Sequence, residues 1–337
     1  MTIFSPSAKQ GDFMSNSHVS ENWDTKREIA LEILKNELNI MPAEVTRFPV
    51  GMCHFVYYVK TETCEFVLRV TQSKWHYDGS VKWLTELAPL EIPIPKILKY
   101  GQYKDVYYTL ITYINGKDLG EVYYTLNDSE KRDIVKELVK IQRKVSTLSS
   151  DMIEGSDKVM DSFVNWNEKN WLENIENDMR NARESLIAKN IFDPGICDVV
   201  VDLAHKLKDV YKEYIVGIKP VVFLDDITTK NVLIHNGKLA GIVDIDEMGY
   251  GDPLGVVAVT NTALLTMGAD TKYIDYWLDE MQANDAQKKA LILYSLLNCI
   301  GFMGERGSTT SNDKVIPVNP DEVERLNSMY HKLLSGL

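Results

Sequence analysis

The chain has 337 residues, of which 45% are hydrophobic and 26% charged, the balance of a soluble globular protein rather than a disordered or membrane-spanning one. Its net charge of −12 argues against a nucleic-acid-binding protein, because such proteins usually carry a basic face. The four cysteines are far apart and form no CxxC pair, so we expect reduced thiols, as in a cytoplasmic protein, rather than a disulfide framework or a zinc site.

The first twenty residues are polar and carry neither the basic segment nor the apolar segment of a signal peptide. We expect residues 1–20 to be poorly ordered. The longest apolar run, LGVVAVTNTALLTMG, is too short and too polar to span a bilayer. The sequence therefore predicts no membrane partner.

Residues 21–115 are predicted to form a small lobe built on an antiparallel β-sheet. The spacing of apolar residues over 24–38 indicates an amphipathic helix. Short β-branched and aromatic segments then predict strands, in the order EVTRFPVG, FVYYVK, EFVLRV, PIPKILKYGQ and VYYTLITYI. The segment SVKWLTELAPL, between the third and fourth of these, is typical of a helix. The turn-forming NGKDL at residues 115–119 is the predicted hinge.

Residues 116–337 are predicted to form a larger, mostly helical lobe, which makes the fold class α+β. Asn127 or Ser129 is expected to cap a helix that runs through EKRDIVKELVKIQRKV. One β-hairpin interrupts the helices, because NVLIHNGKLAGIVD alternates around Asn236-Gly237, the strongest short-range signal for a hairpin. Helical patterns resume after Pro253 and continue to the end of the chain.

Acidic residues flank this hairpin, and they are the strongest functional signal in the sequence. Asp226 precedes Asn231 by five residues, and the second strand of the hairpin brings Asp244 back to the same open end. Carboxylate and amide oxygens suit Mg²⁺, which is usually bound by one or two carboxylates together with waters and substrate phosphates. The alternative is that such acids cap turns or lie in solvated loops. We favour capping for Asp252 before Pro253, and leave Asp246 open between a loop charge and a further metal-site group.

The segments LDDITTKN and VDIDEMGYGDP resemble the catalytic loop and the metal loop of the aminoglycoside phosphotransferase and small-molecule kinase family, whose fold is protein-kinase-like. The family pattern is H-G-D-x-x-x-x-N, then a hairpin, then I-D-x-x-x-x-G followed by D-P. The resemblance, which runs from about residue 25 to 265, implies that Asp226 is the catalytic base or orients the substrate hydroxyl. It also implies that Asn231 and Asp244 bind Mg²⁺.

The N-terminal lobe carries weaker parts of the same resemblance. FPVGMCHFVYYV resembles the loop that covers the nucleotide phosphates, where Gly51 allows close backbone approach and His54 offers a backbone N–H. EFVLRV places Arg69 where the family has a phosphate-anchoring Lys, and Arg binds phosphate through two hydrogen bonds. The acidic partner of Arg69 is left open between Asp78 and Glu86 on the following helix.

TLITYINGKDL resembles the segment at which the family binds the adenine edge, so the backbone groups of Thr112, Tyr113 and Ile114 are predicted to contact the base. The sequence departs from the family pattern in two places. Leu224 and Asp225 stand where the family has His-Gly, and Val256 stands where an Asp often follows D-P. The first departure puts the geometry of the catalytic loop in question, without removing the base or a metal ligand.

The resemblance implies a phosphotransferase that moves the γ-phosphoryl group of ATP or GTP to a hydroxyl group of a small molecule, with Mg²⁺ as cofactor. An aminoglycoside-type antibiotic fits the acidic balance, whereas a macrolide, a choline-like alcohol or a metabolite alcohol are alternatives. A pseudokinase that binds nucleotide without transfer is a second hypothesis, motivated by Leu224-Asp225 and Arg69. A metal-dependent hydrolase that uses no nucleotide is a third. The sequence does not determine the oligomeric state.

Overall fold

The computed structural model describes residues 21–48, 53–149, 171–309 and 315–337, together with Met152. Two of the predictions, a poorly ordered segment over 1–20 and the phosphate-binding role of Gly51, lie outside the described residues. No helix within these ranges is both long and apolar enough to cross a membrane.

A five-stranded antiparallel sheet in the order β1-β2-β3-β5-β4 forms the smaller, N-terminal lobe, and every strand predicted there is confirmed. The strands are Glu44–Arg47 (β1), Phe55–Lys60 (β2), Glu65–Thr71 (β3), Ile97–Tyr103 (β4) and Val106–Thr112 (β5). Helix α1, Glu21–Glu32, continues as a π-helical turn over Ile33–Glu37, and helix α2, Lys74–Leu87, lies between β3 and β4 in sequence. One helix therefore precedes the sheet in the chain, and the other divides its first three strands from the last two.

The two helices of this lobe belong to different hydrophobic clusters. Ala30, Ile33 and Leu34 pack with alternate residues of β2 and β3, such as Tyr57 and Val59, in a small cluster of their own. Trp83, Leu84 and Leu87 of α2 belong instead to the large cluster that fills the C-terminal lobe. Helix α2 is thus shared between the lobes, and it brings the N-terminal lobe against the C-terminal one.

The C-terminal lobe is mostly helical, and its central helices α8 and α10 pack against each other. Its helices are Leu119–Val122 (α3), Asp128–Val145 (α4), Trp171–Lys189 (α5), Gly195–Leu207 (α6), Lys212–Gly217 (α7), Leu254–Met267 (α8), Lys272–Met281 (α9), Asp285–Glu305 (α10) and Pro320–Ser335 (α11). Of the two expected caps of α4, Asn127 is the one used: its side chain accepts a hydrogen bond from the Glu130 N–H, and the Glu130 carboxylate accepts one from the Asn127 N–H.

Short strand pairs hold the loops between these helices in place. The predicted hairpin is confirmed as Val232–His235 (β8) and Lys238–Ile242 (β9), with Asn236 and Gly237 at φ of 50° and 74°. Lys117–Asp118 (β6) pairs with β8, and Val221–Phe223 (β7) pairs with Gly249–Gly251 (β10). Because β7 pairs with β10 and β8 with β9, the loops 224–231 and 243–248 are each framed by paired strands at both ends and face each other.

The observed architecture is the predicted α+β, two-lobed fold of the protein-kinase-like type, with a small antiparallel sheet lobe and a larger helical lobe. The division of the chain into a nucleotide-binding lobe over 21–115 and a helical lobe over 116–337 stays a proposal. The proposed boundary lies in the connection from β5 to β6, where the chain passes from the five-stranded sheet to the strand that pairs with the hairpin.

Candidate active site

The loop 224–231 fixes the carboxylate of Asp226 through two side-chain donors. Asn231 Nδ2 donates to Asp226 Oδ2 at 2.7 Å and to the Asp226 carbonyl at 2.9 Å. Thr228 Oγ1 donates to Asp226 Oδ1 at 3.1 Å. The backbone N–H of Asn231 in turn donates to the Thr228 carbonyl at 3.1 Å. The predicted base and the predicted metal ligand Asn231 are therefore in direct contact, and the loop gives both side chains a fixed orientation.

Acidic groups crowd this loop, and burial makes their charged forms costly. Burial raises the pKa of Asp226 well above its ordinary value, and the nearby carboxylates of Asp225 and Asp244 raise it further. Burial likewise raises the pKa of Asp225 to about 6. The site thus carries a negative potential that an incoming cation would relieve.

Asp244 begins the facing loop and connects it to the N-terminal lobe. Its Oδ1 accepts a hydrogen bond from Arg69 Nη2 at 2.6 Å, and 42% of its side chain is exposed. Its backbone adopts φ of 62°, a left-handed conformation that is uncommon outside glycine and that often marks functional positions. The N–H of Val243 donates to the Asn231 carbonyl at 2.9 Å, so the two predicted metal ligands lie on directly bonded backbone segments.

Arg69 has its acidic partner in the C-terminal lobe. Its Nη1 and Nη2 donate to Asp246 Oδ1 and Oδ2, both at 2.8 Å, in a bidentate pair whose residues are only 5% and 8% exposed. Neither residue considered from the sequence fills this role, because Asp78 bonds Lys74 at 2.6 Å and Glu86 is exposed. Burial alone would raise the pKa of Asp246, but Arg69 and the His54 ring lower it well below its ordinary value.

His54 enters the site through its side chain, which sequence reasoning did not foresee. The ring is 3% exposed, and its Nε2 lies 2.7 Å from Asp246 Oδ2. Its Nδ1 is buried and has no hydrogen-bond partner among the residues that the structure describes. The predicted contact of the His54 backbone N–H with phosphate stays a prediction, and the side chain ties the end of the phosphate-covering loop to Asp246.

A glutamine holds the backbone at the position where the family pattern has His-Gly. Gln142 on α4 donates from Nε2 to the Leu224 carbonyl at 2.7 Å and accepts from the Leu224 N–H at 2.9 Å. Both backbone polar groups of Leu224, two residues before Asp226, are thereby satisfied. Sequence reasoning missed Gln142, although one signal was present: it lies four residues after Leu138 and so falls on the apolar face of its helix.

The predicted base-binding segment is only partly available for a nucleotide. The N–H of Thr112 donates to the Lys96 carbonyl at 3.0 Å, and Thr112 Oγ1 accepts from the Lys96 N–H at 2.9 Å. The Thr112 N–H is therefore engaged by the strand next to it. The Tyr113 ring packs edge-on against Tyr58, with centroids 5.1 Å apart, and the Ile114 side chain packs against Gly241 of the hairpin. A backbone contact with the base is therefore expected from Tyr113 and Ile114 rather than from the N–H of Thr112.

The residues at this site suit Mg²⁺, although they form no all-protein metal cage. Within the described ranges no three His, Cys, Asp or Glu side chains converge as a metal site. Mg²⁺ needs fewer protein ligands, because waters and substrate phosphates complete its coordination. Asn231 Oδ1 and Asp244 Oδ2 accept no hydrogen bond from any described residue, and both are hard oxygen donors. The donor set and the excess of carboxylates over cations therefore fit a magnesium ion.

Asp252 behaves as the sequence predicted, as a cap. Its Oδ1 accepts from the N–H of Leu254 at the start of α8, at 3.0 Å. Its Oδ2 accepts hydrogen bonds from the hydroxyls of Tyr214 and Tyr294, which satisfy the rest of this buried carboxylate. Asp252 therefore stabilises the helical lobe and is separate from the acids of the two loops.

The chain is similar in sequence to one protein family and in fold to several solved structures. Residues 44–284 match the phosphotransferase enzyme family. A thermostable mutant of aminoglycoside phosphotransferase APH(4)-Ia, in a ternary complex with ADP and hygromycin B, superposes with a TM-score of 0.60 at 14% identity, covering 91% of this chain and 97% of that chain. The ADP-bound aminoglycoside phosphotransferase APH(2'')-Ib gives a TM-score of 0.60 at 14% identity, covering 91% of this chain and 98% of that chain.

The streptomycin-ATP-APH(2")-IIa ternary complex gives a TM-score of 0.61 at 14% identity, and covers 96% of this chain and 97% of that chain. At these identities the structural similarity establishes the fold alone. No curated protein sequence matches the chain at a significant level.

Proposed function

The chain belongs to the phosphotransferase enzyme family, whose members act on hydroxyl groups of small molecules, and we propose that it transfers the γ-phosphoryl group of ATP or GTP to an aminoglycoside-type acceptor. One observation carries the proposal. The loops 224–231 and 243–248 bring Asp226, Asn231 and Asp244 together, and Arg69 contacts Asp244 from the other lobe at 2.6 Å. A base, hard-oxygen ligands and a phosphate-binding cation thus meet in one place.

Asp226 is the proposed base. Its carboxylate, held by Asn231 and Thr228, would accept the hydrogen bond of the acceptor hydroxyl and take its proton as the oxygen attacks the γ-phosphorus. The bond from that phosphorus to the β–γ bridging oxygen breaks in the same step, and ADP or GDP leaves. Fixed orientation matters here, because phosphoryl transfer depends mainly on positioning and on stabilisation of charge. Proton transfer of this kind contributes roughly 10²- to 10⁴-fold to a reaction rate.

Arg69, Asn231 and Asp244 are the proposed residues for the nucleotide phosphates. Arg69 would bind a phosphate oxygen through its guanidinium group, which is always charged. Asn231 and Asp244 would hold Mg²⁺, which supplies stabilisation of the negative charge on the phosphates. The backbone of Tyr113 and Ile114 would contact the base, and the Gly51 loop would cover the phosphates.

The acidic surroundings of the catalytic loop support a cationic acceptor. Asp118 pairs with Leu233 in the strand that follows the catalytic loop, and Glu305 is the last residue of α10. Burial and the nearby charge of Glu121 raise the pKa of Asp118 to about 7, and burial raises the pKa of Glu305 well above its ordinary value. Protonated amines of an aminoglycoside would favour the ionised forms of both. The net charge of −12 attracts such a substrate over a longer range.

We place the reaction in the cytoplasm, which supplies ATP and keeps thiols reduced, and infer that modification of an aminoglycoside there would confer resistance to it. The test measures the consumption of ATP or GTP, with magnesium chloride, in the presence of each member of a panel of acceptors. The panel contains aminoglycosides, macrolides, choline-like alcohols and metabolite alcohols. Mass spectrometry identifies the phosphorylated product. Turnover with an aminoglycoside is the expected result.

Two variants make the test specific. Asp226→Ala should abolish turnover while nucleotide binding persists, whereas Asp202→Ala, which removes an exposed acid on α6, should leave turnover unchanged. Full activity of Asp226→Ala would contradict the assignment of the base. Nucleotide binding without transfer to any acceptor would favour the pseudokinase, and metal-supported hydrolysis without nucleotide would favour the hydrolase.

A further inference from the structure

The buried pair between Arg69 and Asp246 joins the lobes across 177 residues of sequence. Two parallel hydrogen bonds of 2.8 Å fix both the position and the plane of the guanidinium group. Both residues are buried, so water competes little for these bonds. An arginine that must bind phosphate in one orientation would need such a support.

The hydrogen-bond donors of Arg69 show which contact a phosphate can replace. Nη1 donates to Ser80 Oγ at 2.9 Å and to Asp246, and Nη2 donates to Asp246 and Asp244. The four Nη hydrogens are thereby used. Asp244 is the most exposed of these partners and holds the guanidinium through one bond only. A phosphate oxygen would therefore exchange with Asp244, while Asp246 and Ser80 keep the guanidinium in place.

Helix α2 has no room for an acid at this point. A Cβ atom added to Gly79 would lie 2.1 Å from the Asp246 carbonyl oxygen, so the helix backbone rests directly on the loop 243–248. The next residue, Ser80, is fully buried and reaches Arg69 with a neutral hydroxyl. The carboxylate that Arg69 requires thus comes from the loop.

We propose that Asp246 is the positioning residue for Arg69, a carboxylate supplied by the loop 243–248 that holds the guanidinium ready for the nucleotide phosphates. The inference rests on the proposed function. His54 adds to it, because its ring lies 2.7 Å from the same carboxylate and so ties the phosphate-covering loop to the same anchor. Both oxygens of Asp246 are occupied by these partners, which separates its role from that of the metal ligands Asn231 and Asp244.

Nucleotide affinity tests the proposal without knowledge of the acceptor. ATP with magnesium chloride is titrated into the wild-type protein, Asp246→Asn, Arg69→Met and the double variant, by calorimetry. Asp246→Asn is expected to raise the Kd for ATP about tenfold or more in the wild-type background and less than threefold in the Arg69→Met background, because its effect passes through Arg69. An equal loss of ATP affinity in both backgrounds, or no loss in either, would overturn the proposed role of Asp246.

Three controls separate this role from others. Asp78→Asn, which removes an acid of α2 that bonds only Lys74, should leave the Kd unchanged. The magnesium concentration that gives half-maximal nucleotide binding should be unchanged in Asp246→Asn and raised in Asp244→Asn. A rise in both would make Asp246 a metal ligand and overturn the proposal. Ser80→Ala, which removes a neutral partner of the same guanidinium, should weaken ATP binding less than Asp246→Asn, and a larger effect would contradict it.

A wild-type protein that binds no nucleotide would overturn the proposed function, and this inference with it. A wild-type protein that binds ATP beside an Asp246→Asn variant that binds equally well would overturn this inference alone. Melting temperatures of all variants are compared without nucleotide, and the affinity loss is expected in protein that remains folded.

Discussion

The carboxylates of the two facing loops are only partly compensated by charges within the protein. Asp225, Asp226, Asp244 and Asp246 lie on two facing loops, and each buried charge costs several kcal/mol unless it is compensated. Arg69 and His54 compensate Asp246 within the protein. Asp225 and Asp226 are left with raised pKa values, so their charged forms become favourable when a cation enters. Asp225 and Asp226, beside the proposed metal ligands Asn231 and Asp244, are thus the groups whose charged forms an incoming cation would stabilise.

The side chain of Gln142 offers a prediction at the scale of one residue. Gln142→Ala removes both partners of the Leu224 backbone, and each unsatisfied group costs about 1 to 3 kcal/mol. The catalytic loop should relax and displace Asp226, so we expect kcat to fall about tenfold or more with the Kd for ATP nearly unchanged. Steady-state kinetics and calorimetry measure the two quantities.

Gln72→Ala is the control for this change, because Gln72 is exposed and its amide bonds Asp105, in the N-terminal lobe. It should leave kcat unchanged. Gln142→Glu keeps the acceptor for the Leu224 N–H and loses the donor to the Leu224 carbonyl. Its kcat should therefore lie between those of Gln142→Ala and Gln72→Ala. An unchanged kcat in Gln142→Ala would show that the loop holds its shape without this amide.

Among the elements, those with local signals were predictable from the sequence. The hairpin was predicted from Asn236-Gly237, and the cap of α4 was narrowed to Asn127 or Ser129, because turn geometry and capping depend on neighbours in the chain. The short β-branched and aromatic segments of β2 and β3 likewise predicted strands. Asp226, Asn231 and Asp244 were brought together by reasoning on the same hairpin.

Contacts between distant elements were beyond such reasoning. Arg69 meets Asp246 from 177 residues away, and Gln142 meets Leu224 from 82 residues away. Asp78 and Glu86 on the next helix were the predicted candidates for the acidic partner of Arg69. No local sequence pattern indicates that α2 packs on the loop 243–248. Gln142 on the apolar face of α4 and Asp246 after Asp244 could both be seen in the sequence. Their partners could not, because these contacts depend on the tertiary fold.

The contact of α2 with the loop 243–248 gives a prediction at the scale of elements. Gly79→Ala would place a Cβ atom 2.1 Å from the Asp246 carbonyl oxygen, and backbone on both sides limits relaxation. We expect a loss of stability of about 1 to 3 kcal/mol and a weaker affinity for ATP, because Asp246 must shift away from Arg69. Denaturant unfolding and calorimetry measure both effects.

Gly301→Ala is the matched control, since Gly301 lies within α10 and an added Cβ there meets no atom within 4 Å. The helix propensity of alanine should leave stability unchanged or raise it by up to about 1 kcal/mol. Gly79→Ala with wild-type stability and wild-type affinity for ATP would mean that α2 and the loop are not in close contact.

At the scale of the whole molecule, apolar and polar contacts join the lobes in different ways. Trp83, Leu84 and Leu87 place α2 in the main hydrophobic cluster of the C-terminal lobe, whereas α1 and the far face of the sheet form their own cluster. The Arg69–Asp246 pair adds a directional contact at the site itself. Apolar packing thus supplies the attachment of the lobes, and the ion pair supplies the alignment of phosphate-binding and metal-binding groups.

The overall negative charge gives the last prediction, which concerns the acceptor. With a net charge of −12, and with Asp118 beside the strand that follows the catalytic loop, the protein should attract a cationic acceptor partly through long-range electrostatics. Salt shortens the reach of such forces, from about 10 Å at 0.1 M to about 3 Å at 1 M. We therefore expect the KM for an aminoglycoside to rise several-fold as sodium chloride is increased from about 0.1 to 1 M.

The nucleotide provides the internal control, because it is an anion and the same field repels it. Its KM should stay level or fall over the same range of salt, and a neutral acceptor from the panel should show little change. An aminoglycoside KM that is independent of salt would contradict an acidic acceptor site, and would shift the choice of acceptor to the neutral alcohols.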